Sequence, residues 1–236
     1  MEVLAGVVEW FADPANWSGT DGVPNRVFQH VWYSVVATVL ALIIALPLGL
    51  TVGHTGRGGA LAINLSNIGR SVPSFGIIIL AFLLAGFGFT PALVALTALA
   101  IPPIVTNSYV GVRAVDPEVR DSAEGMGLTG WQVLRDVEVP VAMPLIMAGV
   151  RTSAVQVVST ATLAAFVGLG GLGRYIFDGL QTQNLPEVIA GAILVAGLAV
   201  LTELGLSRVQ KTVVPKGLQA SHQQTAVHAQ VQSASG

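Results

Sequence analysis

Val31 to Gly53 reads VWYSVVATVLALIIALPLGLTVG, a run of apolar and small residues with no charge in it. A helix needs about 20 such residues to cross the roughly 30 Å hydrocarbon core of a bilayer. This run alone removes most soluble folds, and it is not isolated. Residues 61–89 form a second stretch, holding Asn64, Asn67, Arg70 and Pro73 before its apolar half. Residues 91–112 form a third around Pro102-Pro103, residues 141–168 a fourth interrupted by Arg151, and residues 188–206 a fifth. The expected fold is therefore all-α, a polytopic membrane bundle of about five helices. Composition agrees: 10% of the 236 residues are charged and 53% are apolar, where soluble domains carry about 25% charged residues. A net charge of -2 with no basic run excludes a nucleic-acid binder. The absence of Cys removes thiol catalysis and Cys-ligated metal sites.

Lys and Arg set the expected orientation, because cytoplasmic loops hold them in excess. With the first span entering from outside, one set of loops carries Arg57, Arg113, Arg120, Arg135, Arg208, Lys211 and Lys216, and the other only Arg26 and Arg174. The chain is then a multi-pass protein of the cell membrane, N-terminus outside and C-terminus in the cytoplasm. Residues 1–30 are an extracytoplasmic segment whose early acids do not suit a signal peptide. Residues 31–206 are the membrane domain, 113–140 its long cytoplasmic loop, and 207–236 a polar, largely disordered cytoplasmic tail.

Two phosphate-binding patterns fail on context. Gly168-Leu169-Gly170-Gly171-Leu172-Gly173 has the spacing G-x-G-x-x-G but follows a membrane helix instead of a strand. GLSRVQKT at 205–212 approaches a P-loop, with Gln210 where the second Gly must stand. The chain is expected to hold no ATP site, no metal and no catalytic residue. Its four His show no ligand spacing. Gly49 and Gly53 form a G-x-x-x-G suited to close helix contact, within the chain or between subunits.

The long loop carries the functional signal. Asp116-Pro117-Glu118 opens a short helix that ends at Gly127, and Thr129 caps a second one before Pro140. Ala123, Met126, Leu128, Trp131, Val133 and Leu134 make the loop too apolar for a bare solvated connector, so a partner is expected on it. Asp121, Glu124 and Asp136 could pair with basic groups of that partner. Arg70 and Arg151 are costly inside spans unless they snorkel to the cytoplasmic edge. Proline 73, 102, 103 and 144 free carbonyls that need partners inside the protein. Ser74, Thr106, Asn107, Ser159, Thr160 and Thr162 are accordingly candidate pathway groups, or polar glue between helices.

On Asp121-Ser122-Ala123, Gly127, Val137, Val139 and Pro140 the loop resembles the "EAA" motif of permease subunits of binding-protein-dependent ABC importers. The spacing is complete; Asp replaces Glu, Ser replaces Ala, and Val replaces both Ile and Leu. Stretches such as Arg70-Ser71-Val72-Pro73-Ser74, Ile101 to Asn107 and Met147 to Thr152 resemble the osmoprotectant branch, which imports glycine betaine, carnitine or choline. The resemblance covers roughly residues 15–207. It implies a non-catalytic subunit with a coupling helix seated on a separate ATPase that holds ATP and magnesium. It also implies a second permease copy or sibling and an extracytoplasmic solute-binding protein, and alternating access by rocking of helix bundles. A quaternary ammonium prefers aromatic faces, and with three Tyr and four Trp in the chain, specificity is expected mainly in the binding protein. The alternatives are an ABC permease for another small solute such as an amino acid, a stand-alone secondary transporter or channel, and a membrane anchor for a partner enzyme.

Overall fold

The computed structural model describes residues 2–214, so Lys216, His222, His228 and the rest of 215–236 lie outside the described residues, as do the side chains of Leu65 and Arg70. The described residues contain helices and no strand. In chain order they are α1 (Glu2–Ala12), a 3-10 turn (Pro14–Trp17), α2 (Val23–Thr55), α3 (Gly59–Ser71), α4 (Ser74–Ala85) and α5 (Phe89–Arg113). The loop helices α6 (Pro117–Gly125) and α7 (Gly130–Gln132) follow. A π-helical turn (Val133–Glu138) then runs into α8 (Val139–Ala164), and α9 (Gly173–Gln181) and α10 (Leu185–Val213) complete the chain. Residues 207–213, expected with the tail, continue α10.

Four of these segments are long and apolar enough to cross a membrane: Val23–Thr55, Phe89–Arg113, Gly130–Val167 and Leu185–Val213. The stretch expected as one span over 61–89 is instead two helices bent by 86° around 70–73. Pro73 lies at the bend: it fixes its own φ and pushes Val72 to extended backbone (φ -76°, ψ 128°). Counting the bent pair as one span gives five.

The core is organised by small residues. Past Val23, the buried positions of α2 are His30, Ser34, Ala37, Ala41, Ala45, Gly49 and Gly53, three or four apart and so on one face. That face lies against α5 and α8, where Leu96, Ala100, Ile104, Val105, Val157 and Ala161 complete the cluster. A Cβ on Gly49 would come within 2.7 Å of Ser108 Cβ and 2.9 Å of the Val105 carbonyl, and one on Gly53 within 2.7 Å of Val112 Cβ. The G-x-x-x-G pair thus serves contact within the chain, seating α2 on α5.

Proline strain in α5 is answered from α8. Pro103 has no N–H for the Leu99 carbonyl, which receives Gln156 Nε2 at 3.4 Å. The next carbonyl, Ala100, accepts the Ser153 hydroxyl at 2.8 Å. Arg151 pairs with Glu203 at 3.2 Å and donates to Gln210 Oε1 at 3.2 Å. Gln210 in turn donates to the Pro144 carbonyl at 3.3 Å. Arg151 is therefore a tie between α8 and α10, and Gln210, the residue that spoils the P-loop pattern, belongs to it.

At the opposite end the glycine run is clamped to α2. Gly171 N–H donates to Gln29 Oε1 at 3.0 Å and Leu172 N–H to His30 Nδ1 at 3.2 Å. His30 Nε2 then donates to the Val158 carbonyl at 2.8 Å. A Cβ on Gly173 would run into the Thr162 carbonyl, so this glycine lets backbone approach backbone. Tyr175 on α9 donates to the Asp21 carbonyl at 2.6 Å. Burial, more than the nearby carboxylates of Asp21 and Glu187, pushes its phenol up to about 12, so it stays a donor at neutral pH.

Gly49→Val overpacks the α2–α5 contact and is expected to cost about 1–3 kcal/mol, read as a lower thermal midpoint in detergent. Gly197→Ala, at a helical position with nothing within 4 Å, is the control and should be neutral or slightly stabilising.

Candidate functional site

The loop between α5 and α8 is built from local signals. Asp116 accepts from the Glu118 N–H at 2.9 Å and caps α6. The helix closes in a Schellman turn: Gly127 N–H bonds the Glu124 carbonyl at 2.8 Å and Leu128 N–H the Ala123 carbonyl at 3.2 Å. Gly127 sits at φ +89° to make that turn. Gln132 Oε1 then accepts from Thr129 N–H at 2.8 Å and from its hydroxyl at 2.9 Å, starting α7. Pro140 lacks an N–H and its ring crowds the carbonyl four residues back. The chain widens there into a π-helical turn, with Val139 N–H reaching the Leu134 carbonyl five residues back.

The loop has two faces. Ala123, Val133 and Leu134 are buried against the bundle, and Val137, Val139 and Pro140 are half-buried. Met126 and Trp131 turn the other way, 76% and 68% exposed. Asp121, Ser122, Glu124, Asp136 and Gly127 are exposed with them. Ser122 donates to the Glu118 carbonyl at 2.7 Å, so its hydroxyl is spent within α6. The apolar residues expected to meet a partner as one set are thus divided: some anchor the loop, and Met126 and Trp131 are exposed.

Beneath the loop lies a buried ionic cluster that reading along the chain did not anticipate. Glu138, 1% exposed, lies 2.8 Å from Arg120 Nε in an ion pair at Oε1 and accepts a hydrogen bond from His54 Nδ1 on Oε2 at 2.6 Å. Arg120 also donates to the Val112 carbonyl. The signal available was an acid between Val137 and Val139 at the mouth of a span, where a charge needs partners. The partners lie far off in sequence, and His54 had no motif to mark it.

Four of the six candidate pathway residues come together. Ser74 from α4 and Ser159, Thr160 and Thr162 from α8 line one recess of about 520 Å³, walled by Ile176 of α9 and Val195 and Ala199 of α10. Thr106 and Asn107 are not in its lining. Asn107 donates to the Pro103 carbonyl at 2.8 Å and packs on Gly149, while the Thr106 hydroxyl is buried without a partner. A row of edge-to-face phenylalanines, Phe75 to Phe166 at 5.3 Å and Phe166 to Phe177 at 4.9 Å, adjoins Ser74 and Ile176. Only the fold unites residues 75, 166 and 177. Among the described residues no group of His, Asp or Glu is arranged to hold a metal.

Comparison with known proteins agrees with this architecture. Residues 37–216 match the family described as binding-protein-dependent transport system inner membrane component. The chain is 41% identical to the glycine betaine/carnitine/choline transport system permease protein OpuCB of Bacillus subtilis (strain 168), over 81% of this chain and 88% of that one. It is 37% identical to the choline transport system permease protein OpuBB of the same organism, over 82% and 89%. It is 35% identical to the carnitine transport permease protein OpuCB of Listeria monocytogenes, over 84% and 91%. In fold it is similar to a chain of the inward-facing MetNI methionine ABC transporter, with a TM-score of 0.70 at 23% identity, covering 82% of this chain and 96% of that one.

Removing one partner of a buried ion pair strands the other and typically costs about 3–5 kcal/mol. Glu138→Ala is expected to lower the thermal midpoint in detergent by a corresponding margin. Asp136→Ala, on an exposed neighbour, should leave it in place.

Proposed function

The chain belongs to the family of binding-protein-dependent transport system inner membrane components, and we propose that it is the permease subunit of an ATP-driven importer of glycine betaine, carnitine, choline or a related osmoprotectant. The observation that carries the docking part is the loop: α6 and the start of the helix that runs on from Gly130 into α8, not ending before Pro140, seated on the bundle by Ala123, Val133 and Leu134 and presenting Met126, Trp131 and Asp121 outward. Such an exposed apolar face suits a protein partner, here the cytoplasmic ATPase that binds ATP and magnesium. In this reading Asp121, Ser122 and Gly127 lie on the contact side. Ala123, Val137, Val139 and Pro140 hold the loop at its angle to α8. The family and the basic residues of the loop side support a cytoplasmic C-terminus and an extracytoplasmic N-terminus. The Gly168 to Gly173 clamp then faces the solute-binding protein. A second permease, identical or a sibling, completes the pathway.

The solute reading rests on the relatives' names and on the recess. Its lining is hydroxyls and aliphatic walls, with no carboxylate among the lining residues described. In this reading that surface lets a zwitterion or a quaternary ammonium pass without gripping it, which supports selection mainly by the separate binding protein. Transport then follows from ATPase closure, displacement of the loop helices, and rocking of the bundle between outward and inward states.

Reconstituted with its ATPase and binding protein, the chain is expected to take up labelled glycine betaine only with ATP. Uptake without the ATPase would overturn the importer reading, and competition by choline, carnitine and amino acids ranks the solutes. Gly127→Val forces a β-branched residue into left-handed backbone at about 1–2 kcal/mol or more, with no neighbour within 4 Å to blame. It should insert normally and lose most uptake, while Gly127→Asn, which tolerates that conformation, should keep more.

A further inference from the structure

The loop helix has an inner face, and charge holds it. Arg120 leaves α6 for Glu138 at 2.8 Å and for the Val112 carbonyl, one residue from the end of α5. The second Glu138 oxygen takes His54 at 2.6 Å, next to the last residue of α2. A Cβ on Gly130 would come within 3.3 Å of His54 Nε2, so the start of α7 closes over the ring. One buried carboxylate in the π-helical turn therefore joins α6, α7, α2 and α5.

We infer that Glu138, with Arg120 and His54, is the pin through which displacement of the loop helix reaches α2 and α5. Glu138 is thus a positioning residue for coupling ATP hydrolysis to solute movement. The inference rests on the importer reading above. α6 has nine residues, and its buried apolar anchor is the single methyl of Ala123. A methyl contact resists compression but has no direction, so a helix pushed from outside pivots on it. Charge-assisted hydrogen bonds are directional and strong away from water. One of them, from His54, and the close Arg120 ion pair meet on one carboxylate from two different helices, and together they fix the angle of α6 to the bundle. The Arg120 bond to the Val112 carbonyl adds a third point. Motion of α6 is then handed to the ends of α2 and α5, and those two helices hold the core together through the small-residue face of α2.

The test uses the assembled complex of this chain, its ATPase and its binding protein in lipid vesicles. Glu138→Gln keeps the shape and removes the charge. Basal ATP hydrolysis is expected to persist, while glycine betaine moved per ATP falls by about fivefold to a hundredfold, the usual range of a coupling between sites. The pair Arg120→Met with Glu138→Met replaces the ions by apolar chains of similar length and should recover thermal stability without recovering transport per ATP. Wild-type transport per ATP in Glu138→Gln, or its recovery in the Met pair, would overturn the inference and leave the cluster a stabilising contact. Should the wild-type complex hydrolyse ATP but move no glycine betaine, the solute reading fails separately. The pin is then judged by the rise in ATP hydrolysis on adding the binding protein: expected to vanish in Glu138→Gln, and contradicting the pin if it stays.

Discussion

The close approach of α2 to α5 is the contact on which the rest depends. Helices in lipid gain nothing from hiding apolar surface from one another, so they associate where backbones can come near. The face from Ala37 through Gly53 supplies that nearness, and Gly49 and Gly53 leave no room for a Cβ. Once α2 and α5 are in contact, α8 packs into the same cluster through Val157 and Ala161. The outer faces of α2, α4 and α10 are left with Ile43, Leu48, Leu84 and Leu201 exposed, suited to a hydrocarbon solvent.

Polar side chains then do what water does elsewhere. Gln156 and Ser153 serve the carbonyls around the α5 prolines, and Arg151, Glu203 and Gln210 answer one another between α8 and α10. Glu138 is the extreme case, a carboxylate with almost no exposure, a hydrogen bond from His54 on one oxygen and the Arg120 cation beside the other. Each group is affordable because its partner is built into a neighbouring helix, which makes these ties rigid as well as satisfied. The ties run from the loop at one end to the helices around the recess beside α4 and α9.

What could be read along the chain was what repeats or is local. The apolar runs gave the helices, Asp116-Pro117 and Gly127 the limits of α6, and the 121–140 spacing the loop motif. The glycine run matches a nucleotide-site spacing, yet its context is helical and its glycines pack against Thr162 and His30. Less accessible was anything decided by the packing of distant segments. The stretch 61–89 carries apolar content enough for one span, yet Pro73 turns it through 86°. Asn107 and Ser74 look alike as polar residues in apolar helices, but one is taken up by the Pro103 carbonyl and Gly149 while the other lines the recess. His54, Arg120 and Glu138 are unremarkable singly and meet only through the fold.

Coupling requires the loop and the bundle to move as one body, and hydrogen–deuterium exchange on the assembled complex with and without ATP measures this directly. Protection in α6 should change together with that at the ends of α2 and α5, around His54 and Val112. A change confined to α6, with those helix ends unaltered, would contradict it.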